Sequence, residues 1–476
     1  MTFASLTFLI FLPIVFVLYW MLNGSLRWQN LFLVAASYVF YGWWDYRFLI
    51  LILITSVSSY VCGLMLERLR QPRRRKFAVA ANVVLNLGIL GCFKYLNFFI
   101  DSFVSVLDIL GWHADKPLLQ VVLPVGISFY TFQSLSYVLD VYRRKIEATR
   151  DAIAFLAYIS FFPQLVAGPI ERASNLLPQM TGKRHFDYAQ ATDGLRQMLW
   201  GFFKKMVVAD NCALAVNQVW DQWQDASSAQ LVLGAVLFTF QIYGDFSGYS
   251  DIAIGTARLF GIRLSDNFRY PYFSRSVTEF WRRWHISLMS WFRDYVYIPL
   301  GGSRGGRGKT LRNIFIVFFL SGLWHGANWT FVVWGLYNAC LLAIPILLGR
   351  QHKKVEHTPV LRELPQIVCT FVLVTIGWTM FRSASIADGI GFLGRLFTLL
   401  PSFNPADLTL GKAASLWCLC LVVIEWMTRD RRYALELPPT RGIFRHTAAR
   451  WLLYYVLFFV IFLFHGQTQT FIYFQF

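Results

Sequence analysis

The sequence predicts an all-α polytopic membrane protein, and three observations carry that expectation. Of 476 residues, 56% are hydrophobic, 18% aromatic and only 15% charged, with a mean hydropathy of +0.47. A chain that apolar does not fit inside one soluble core. Apolar runs of about 20 residues, the length a helix needs to cross a hydrocarbon layer of roughly 30 Å, recur from end to end. The basic excess, 44 Lys and Arg against 26 Asp and Glu, sits between those runs rather than in them.

The runs lie near 2–22, 30–44, 46–66, 77–110, 119–142, 206–222, 231–257, 313–330, 331–349, 366–382, 413–428 and 451–465. By length they make about twelve crossings. The first has no basic segment before it and no small-residue cleavage site after it, so it is expected to be retained. The 77–110 run carries Lys94 and is expected to break there, whereas 152–170, ending in Ala167-Gly168-Pro169, reads as a re-entrant half-helix. A glycine-proline step frees backbone groups that need a buried or wet environment.

Basic residues cluster at 68–76, 143–145, 172–205, 282–312, 350–354 and 429–450, while 111–118 and 383–412 carry no such cluster. The basic set is assigned to the cytoplasmic side, which puts both termini on the exported side if the crossings number about twelve. Loop orientation thus explains the net charge of +18, and nucleic-acid binding is not expected. The seven cysteines show no metal-ligand spacing, so no metal site is expected. No soluble domain or repeat stands out, and residues 1–476 read as a single membrane domain.

The chemistry-bearing residues concentrate between 231 and 349. Glu279 to Tyr297 reads as one amphipathic helix at the cytoplasmic interface, with Trp281, Trp284, Leu288, Trp291 and Tyr295 on one side and Arg283, Ser287, Ser290 and Asp294 on the other. His285 falls toward the apolar side. It reads as a packing residue or as a functional one. His325 lies between Gly322 and Gly326 in an almost charge-free run, where a neutral imidazole suits a general base. Between the histidines runs Gly301 to Thr310, rich in glycine and carrying Arg304, Arg307 and Lys309. It is not a phosphate-binding P-loop, because position 303 is serine and no strand precedes it. A cationic loop of this kind meets either membrane lipid or the phosphates of a ligand.

Asp245, Ser247, Ser250 and Asp251 put carboxylates and hydroxyls into a membrane-length run, which predicts a broken helix lining a cavity. Two function classes remain open on these residues. One is a transporter with the acids and histidines as coupling groups, and the other is a membrane group-transfer enzyme with histidine as base.

Phe280-Trp281-Arg282-Arg283-Trp284-His285-Ile286-Ser287-Leu288, Pro299-Leu300-Gly301-Gly302 and Gly322-Leu323-Trp324-His325-Gly326-Ala327-Asn328-Trp329 together resemble the membrane-bound O-acyltransferase (MBOAT) family, in its bacterial alginate O-acetyltransferase branch. Ala36 to Tyr41, Leu123 to Phe132, Ala167-Gly168-Pro169 and Asp245 to Asp251 extend the resemblance over nearly the whole chain. It implies a helical fold with re-entrant and interfacial helices around a central tunnel. His325 is then catalytic and His285 the second histidine, with Trp324, Asn328 and the Asp245–Asp251 residues lining the tunnel.

The resemblance further implies acyl transfer from cytoplasmic acetyl-CoA, with no cofactor bound permanently, for O-acetylation of a cell-surface polysaccharide of the alginate, cellulose or peptidoglycan type. A D-alanyl transferase for a teichoic-acid-like polymer is the alternative within the family. The implied setting is the bacterial cytoplasmic (inner) membrane, with an exported SGNH-type acetyltransferase as partner. Arg304, Arg307 and Lys309 are expected to meet the donor's phosphates. The final segment, Phe471-Ile472-Tyr473-Phe474-Gln475-Phe476, resembles the tyrosine motif of a small peptide that serves the D-alanine exporters. Tyr473 is therefore expected either to anchor at the interface or to carry the acyl group.

Overall fold

The computed structural model of the protein describes residues 1–113, 122–349, 357–408, 410–436, 443–467 and 469–472. Its described residues are organised by helices and turns, without strands. They form two compact units, Met1–Ala191 with Ala257–Leu264, and Thr192–Thr256 with Ser265–Phe476.

The first unit contains α1 (Leu6–Met21), α2 (Leu26–Asp45), α3 (Leu49–Arg68), α4 (Pro72–Ile109), α5 (Ile127–Tyr142), α6 (Ala152–Ser160), α7 (Phe162–Leu165) and α8 (Ala173–Thr181). Its centre is α5, buried along nearly its full length. Gly126 starts that helix at φ 75, and a side chain there would meet the Leu165 carbonyl at 2.7 Å, so the turn accepts glycine alone. The segment 161–169 is broken and buried, as its glycine-proline step anticipates. The Lys94 break does not occur: α4 runs unbroken over 38 residues. Lysine is a good helix former, so its presence in an apolar run is no reason for the backbone to open.

The second unit holds α9 (Tyr188–Phe202), a π-helical stretch Phe203–Ala209, α10 (Asp210–Asp221), α11 (Ser228–Leu259), α12 (Val277–Arg283), α13 (Ile286–Phe292), a second π-helical stretch Arg293–Tyr297, α14 (Gly306–His325), α15 (Trp329–Leu347), α16 (Leu364–Arg382), α17 (Ile386–Leu399), α18 (Lys412–Met427) and α19 (Thr447–Phe464). Small residues set its tightest crossings. A side chain at Gly201 of α9 would stand 2.7 Å from the Gly248 carbonyl of α11, and one at Gly248 would stand 2.8 Å from the Gly201 carbonyl. Gly322 of α14 and Gly335 of α15 interlock with the backbones at Phe331 and Phe318 in the same way.

Three expectations for this unit are corrected. Helix α11 is continuous through Asp245 and Asp251 because lysines from the π-helical stretch neutralise both acids, leaving no reason to break it. Glu279 to Tyr297 is not one helix but two, interrupted at Trp284 and His285. Half of the glycine-rich loop is helical, since α14 begins at Gly306, and His325 is the last residue of that helix rather than the middle of a span.

Six helical stretches among the described residues are long and apolar enough to cross a membrane: Leu26–Arg68, Pro72–Ile109, Ser228–Leu259, Trp329–Leu347, Leu361–Arg382 and Thr447–Phe464. Leu6–Met21 is shorter but equally apolar in character. The protein is thus an all-helical, multi-pass membrane protein.

Candidate functional site

Helix α12 stops at Trp284, which is extended, and His285 turns into the left-handed region at φ 43, ψ 53 before α13 begins. A non-glycine residue in that region persists only where its surroundings hold it, and such residues cluster at functional sites. The holder here is Asn267, from the loop after α11. Its backbone carbonyl accepts the Ile286 N–H at 2.9 Å. Its Oδ1 accepts from Ser287 N at 3.3 Å, Ser287 Oγ at 2.9 Å and His285 Nδ1 at 3.0 Å. Asn267 Nδ2 donates to Ser250 Oγ at 3.2 Å, and the Ser287 N–H, which can only donate, fixes Oδ1 as the end of the amide that faces the histidine. With the proton on Nδ1, Nε2 of His285 keeps its lone pair. Burial pushes this imidazole down to about 3, so the ring is neutral at ordinary pH.

His325 is 3% exposed at the end of α14. Its ring meets Trp324 at 5.0 Å, Trp334 of α15 at 5.0 Å and Phe381 of α16 at 5.3 Å, all nearly edge-on. Trp324 reaches the other histidine too, with ring centroids 5.8 Å apart. One indole therefore borders both imidazoles. Behind them Trp334 stacks on Trp378 at 5.5 Å and Trp284 packs on Trp378 at 5.0 Å, so tryptophans from three helices wall the pair off. Asn328 does not join this group: it caps α15 by accepting from Thr330 N at 3.0 Å and donates to the Ala384 carbonyl at 2.9 Å.

The acids and hydroxyls expected to line a tunnel are drawn into polar pairs. Lys204 Nζ lies 2.6 Å from Asp251 and donates to Ser247 Oγ at 2.9 Å. Lys205 Nζ lies 2.7 Å from Asp245 and 2.8 Å from Asp210. Gln197 adds a bond to Asp251 at 2.8 Å. Ser250 and Asp251 do border a narrow cavity, of about 20 Å³, together with Asn267, Tyr270 and Arg432.

Tyr270 and Arg432 also border a much larger cavity, of about 910 Å³. Its walls bring Arg269, Arg275, Arg282, Arg283, Arg429, Arg431 and Arg432 against the carboxylates Glu279, Glu363, Asp430 and Glu436, an excess of positive charge. Arg275 is committed, bridging Glu279 at 2.7 Å and Glu363 at 3.2 Å. Burial works against the Glu279 carboxylate, but Arg275 and Arg283 hold it below its usual value. Arg304, Arg307 and Lys309 are not among the residues lining this cavity; they are exposed on the 301–305 turn and the first turn of α14. Tyr473 lies outside the described residues.

The structure thus brings together both histidines and Trp324, which the sequence singled out, and adds Asn267, the two lysines and the arginine cavity, which it did not. Adjacent lysines at the edge of an apolar run, matching two acids in another, were the available signal for the ion pairs. Asn267 had none, because an asparagine in a polar connection looks like any loop residue.

Residues 146–387, which include both histidines, match the family model of the membrane-bound O-acyltransferases. The chain belongs to the membrane-bound O-acyltransferase family. Among relatives of this acyltransferase, the "Probable alginate O-acetylase AlgI" of Pseudomonas putida is 40% identical over 438 residues, covering 90% of this chain and 88% of the relative. The "Peptidoglycan O-acetyltransferase" of Helicobacter pylori is 32% identical over 415 residues, covering 80% and 77%. The "Teichoic acid D-alanyltransferase" of Bacillus subtilis is 28% identical over 273 residues, covering 54% and 68%. Family membership decides between the two classes that the residues alone left open, in favour of the enzyme.

Proposed function

We propose that this membrane O-acyltransferase moves an acetyl group from cytoplasmic acetyl-CoA to a hydroxyl on the exported side of the bacterial inner membrane, for O-acetylation of a cell-surface polysaccharide. The observation that carries the reading is the pair of buried histidines against one indole, Trp324. A neutral imidazole takes the proton of an acceptor hydroxyl. The oxygen then attacks the thioester carbonyl, the tetrahedral adduct collapses with cleavage of the C–S bond, and the thiolate leaves and is reprotonated. His325 is assigned the base. His285, oriented by Asn267, supports it, and a water-poor aromatic wall strengthens every dipole aimed at the developing oxyanion.

Relatives that carry acetyl groups are more similar and more fully covered than the D-alanyl relative, which favours acetyl over D-alanine. The polymer is of the alginate, cellulose or peptidoglycan type, reached with an exported SGNH-type acetyltransferase. For the donor, the arginine cavity replaces the 301–309 loop as the docking place. Coenzyme A carries several phosphate charges, arginine pairs bidentately with phosphate, and the cavity shares two wall residues with the narrow one that reaches Asn267. Tyr473 is the proposed relay, accepting the acetyl group as an O-acyl-tyrosine before it passes to partner or polymer.

The test is polymer acetylation in membranes that contain equal amounts of wild type, His325→Ala or His285→Ala. Loss of product in His325→Ala and a strong decrease in His285→Ala are expected; full activity of His325→Ala overturns the assignment.

A further inference from the structure

Buried ions are retained at a desolvation cost that well-packed apolar residues would avoid, so a buried cluster invites the question of what it specifies. Lys205 ties Asp210 and Asp245 together at 2.8 and 2.7 Å, and it also donates to the Gln469 carbonyl at 3.2 Å. The second Asp245 oxygen accepts the Ile472 N–H at 2.7 Å. Both contacts go to main chain. They hold the stretch that follows α19.

Further contacts confirm that this stretch is seated. Gly466 N donates to the Met206 carbonyl at 2.9 Å, and Asn211 Nδ2 donates to the Phe464 carbonyl at 2.9 Å. Phe471 and Ile472 are 4% and 2% exposed. The Phe471 ring stands 4.8 Å from Tyr249 and 6.1 Å from Phe246, and Phe246 in turn meets the His285 ring edge-on at 4.6 Å. The Phe471 ring, next in sequence to the pinned Ile472 amide, is thus separated from His285 by the single ring of Phe246.

We propose that Asp245, braced by Lys205, is a positioning residue that latches Gln469–Ile472 beside the site, so that the segment leading to the acceptor is held rather than free to search. This role rests on the reading of Tyr473 as the acyl acceptor. Holding an acceptor in place converts a search into a unimolecular step, which acts on kcat rather than on donor binding.

The experiment uses the full chain in lipid nanodiscs and two variants. Asp245→Asn keeps the shape and removes the charge. Ile472→Pro removes the N–H that Asp245 accepts while leaving the Lys205 cluster in place. Amide exchange over 469–472, thermal stability, and kcat and KM for acetyl transfer from acetyl-CoA are measured for each. The latch predicts faster exchange in both, a drop in kcat of about tenfold or more and an unchanged donor KM. Unchanged exchange in both variants overturns the latch, as does faster exchange with full kcat. Tyr473→Phe separates the two ideas: if it transfers normally while Asp245→Asn does not, the tyrosine relay is wrong and the latch serves a different acceptor.

Discussion

Asn267 accepts the Nδ1 proton of His285 at 3.0 Å from 18 residues upstream, and that one bond assigns both the tautomer and the orientation of a ring with an unusual backbone. Asn267→Ala removes the side-chain acceptor while keeping the backbone carbonyl that accepts the Ile286 N–H. Activity is expected to fall about a hundredfold, the scale of a misplacement near 1 Å. Asn267→Asp keeps an acceptor oxygen and is expected to retain most of it. The comparison of kcat between these two variants separates orientation from mere loop packing.

Acid should reveal the burial of His285. Its folded value of about 3 lies below the usual value near 6.5 of an unfolded chain. The folded state therefore binds fewer protons, so this residue's contribution is fully present above about pH 6.5 and is lost as pH falls toward 3. Thermal stability measured from pH 7 to pH 4 is expected to decline more steeply in wild type than in His285→Gln. Equal slopes would show that the ring protonates freely in the folded protein.

The arginine cavity and the 301–309 turn make opposite forecasts for donor binding. Neutralising Arg282, Arg283 and Arg431 to glutamine is expected to raise the donor KM about tenfold or more and to flatten its dependence on salt, with kcat less affected. Neutralising Arg304, Arg307 and Lys309 is expected to leave KM near its wild-type value. A reversed pattern returns donor docking to the turn.

Gly201 and Gly248 face each other across α9 and α11 with no room for a methyl group. Gly248→Ala must push its Cβ toward a backbone carbonyl at 2.8 Å, so overpacking should destabilise the protein by about 1–3 kcal/mol. A thermal shift of detergent-solubilised protein, compared with alanine at the open Gly88 position, measures it. No loss in Gly248→Ala would mean that the two helices separate easily.

What the sequence disclosed and what it concealed divide along physical lines. Apolar length marked α2, α3, α11, α15, α16 and α19 because crossing a bilayer is a one-dimensional requirement. The motif around His325 was readable because a polar group in an apolar run stands out locally. The break at His285 was not, since the periodicity of Trp281, Trp284, Leu288 and Trp291 continues across it and the cause, Asn267, comes from elsewhere. Asp245 and Asp251 misled in the same way. Alone they suggest an opened helix, and only the fold brings Lys204 and Lys205 to them.

The seating of Phe471 and Ile472 has a practical side. A reporter or affinity handle joined through this tail is tethered close in sequence to Ile472, a residue 2% exposed whose N–H is bound to Asp245. Such a fusion pulls on a segment that packs on Phe246, the ring against His285, so one that folds and inserts normally can still be silent. Inactivity of a fusion of this type then reports on where the handle was placed, and cleaving the handle off should bring the enzyme back.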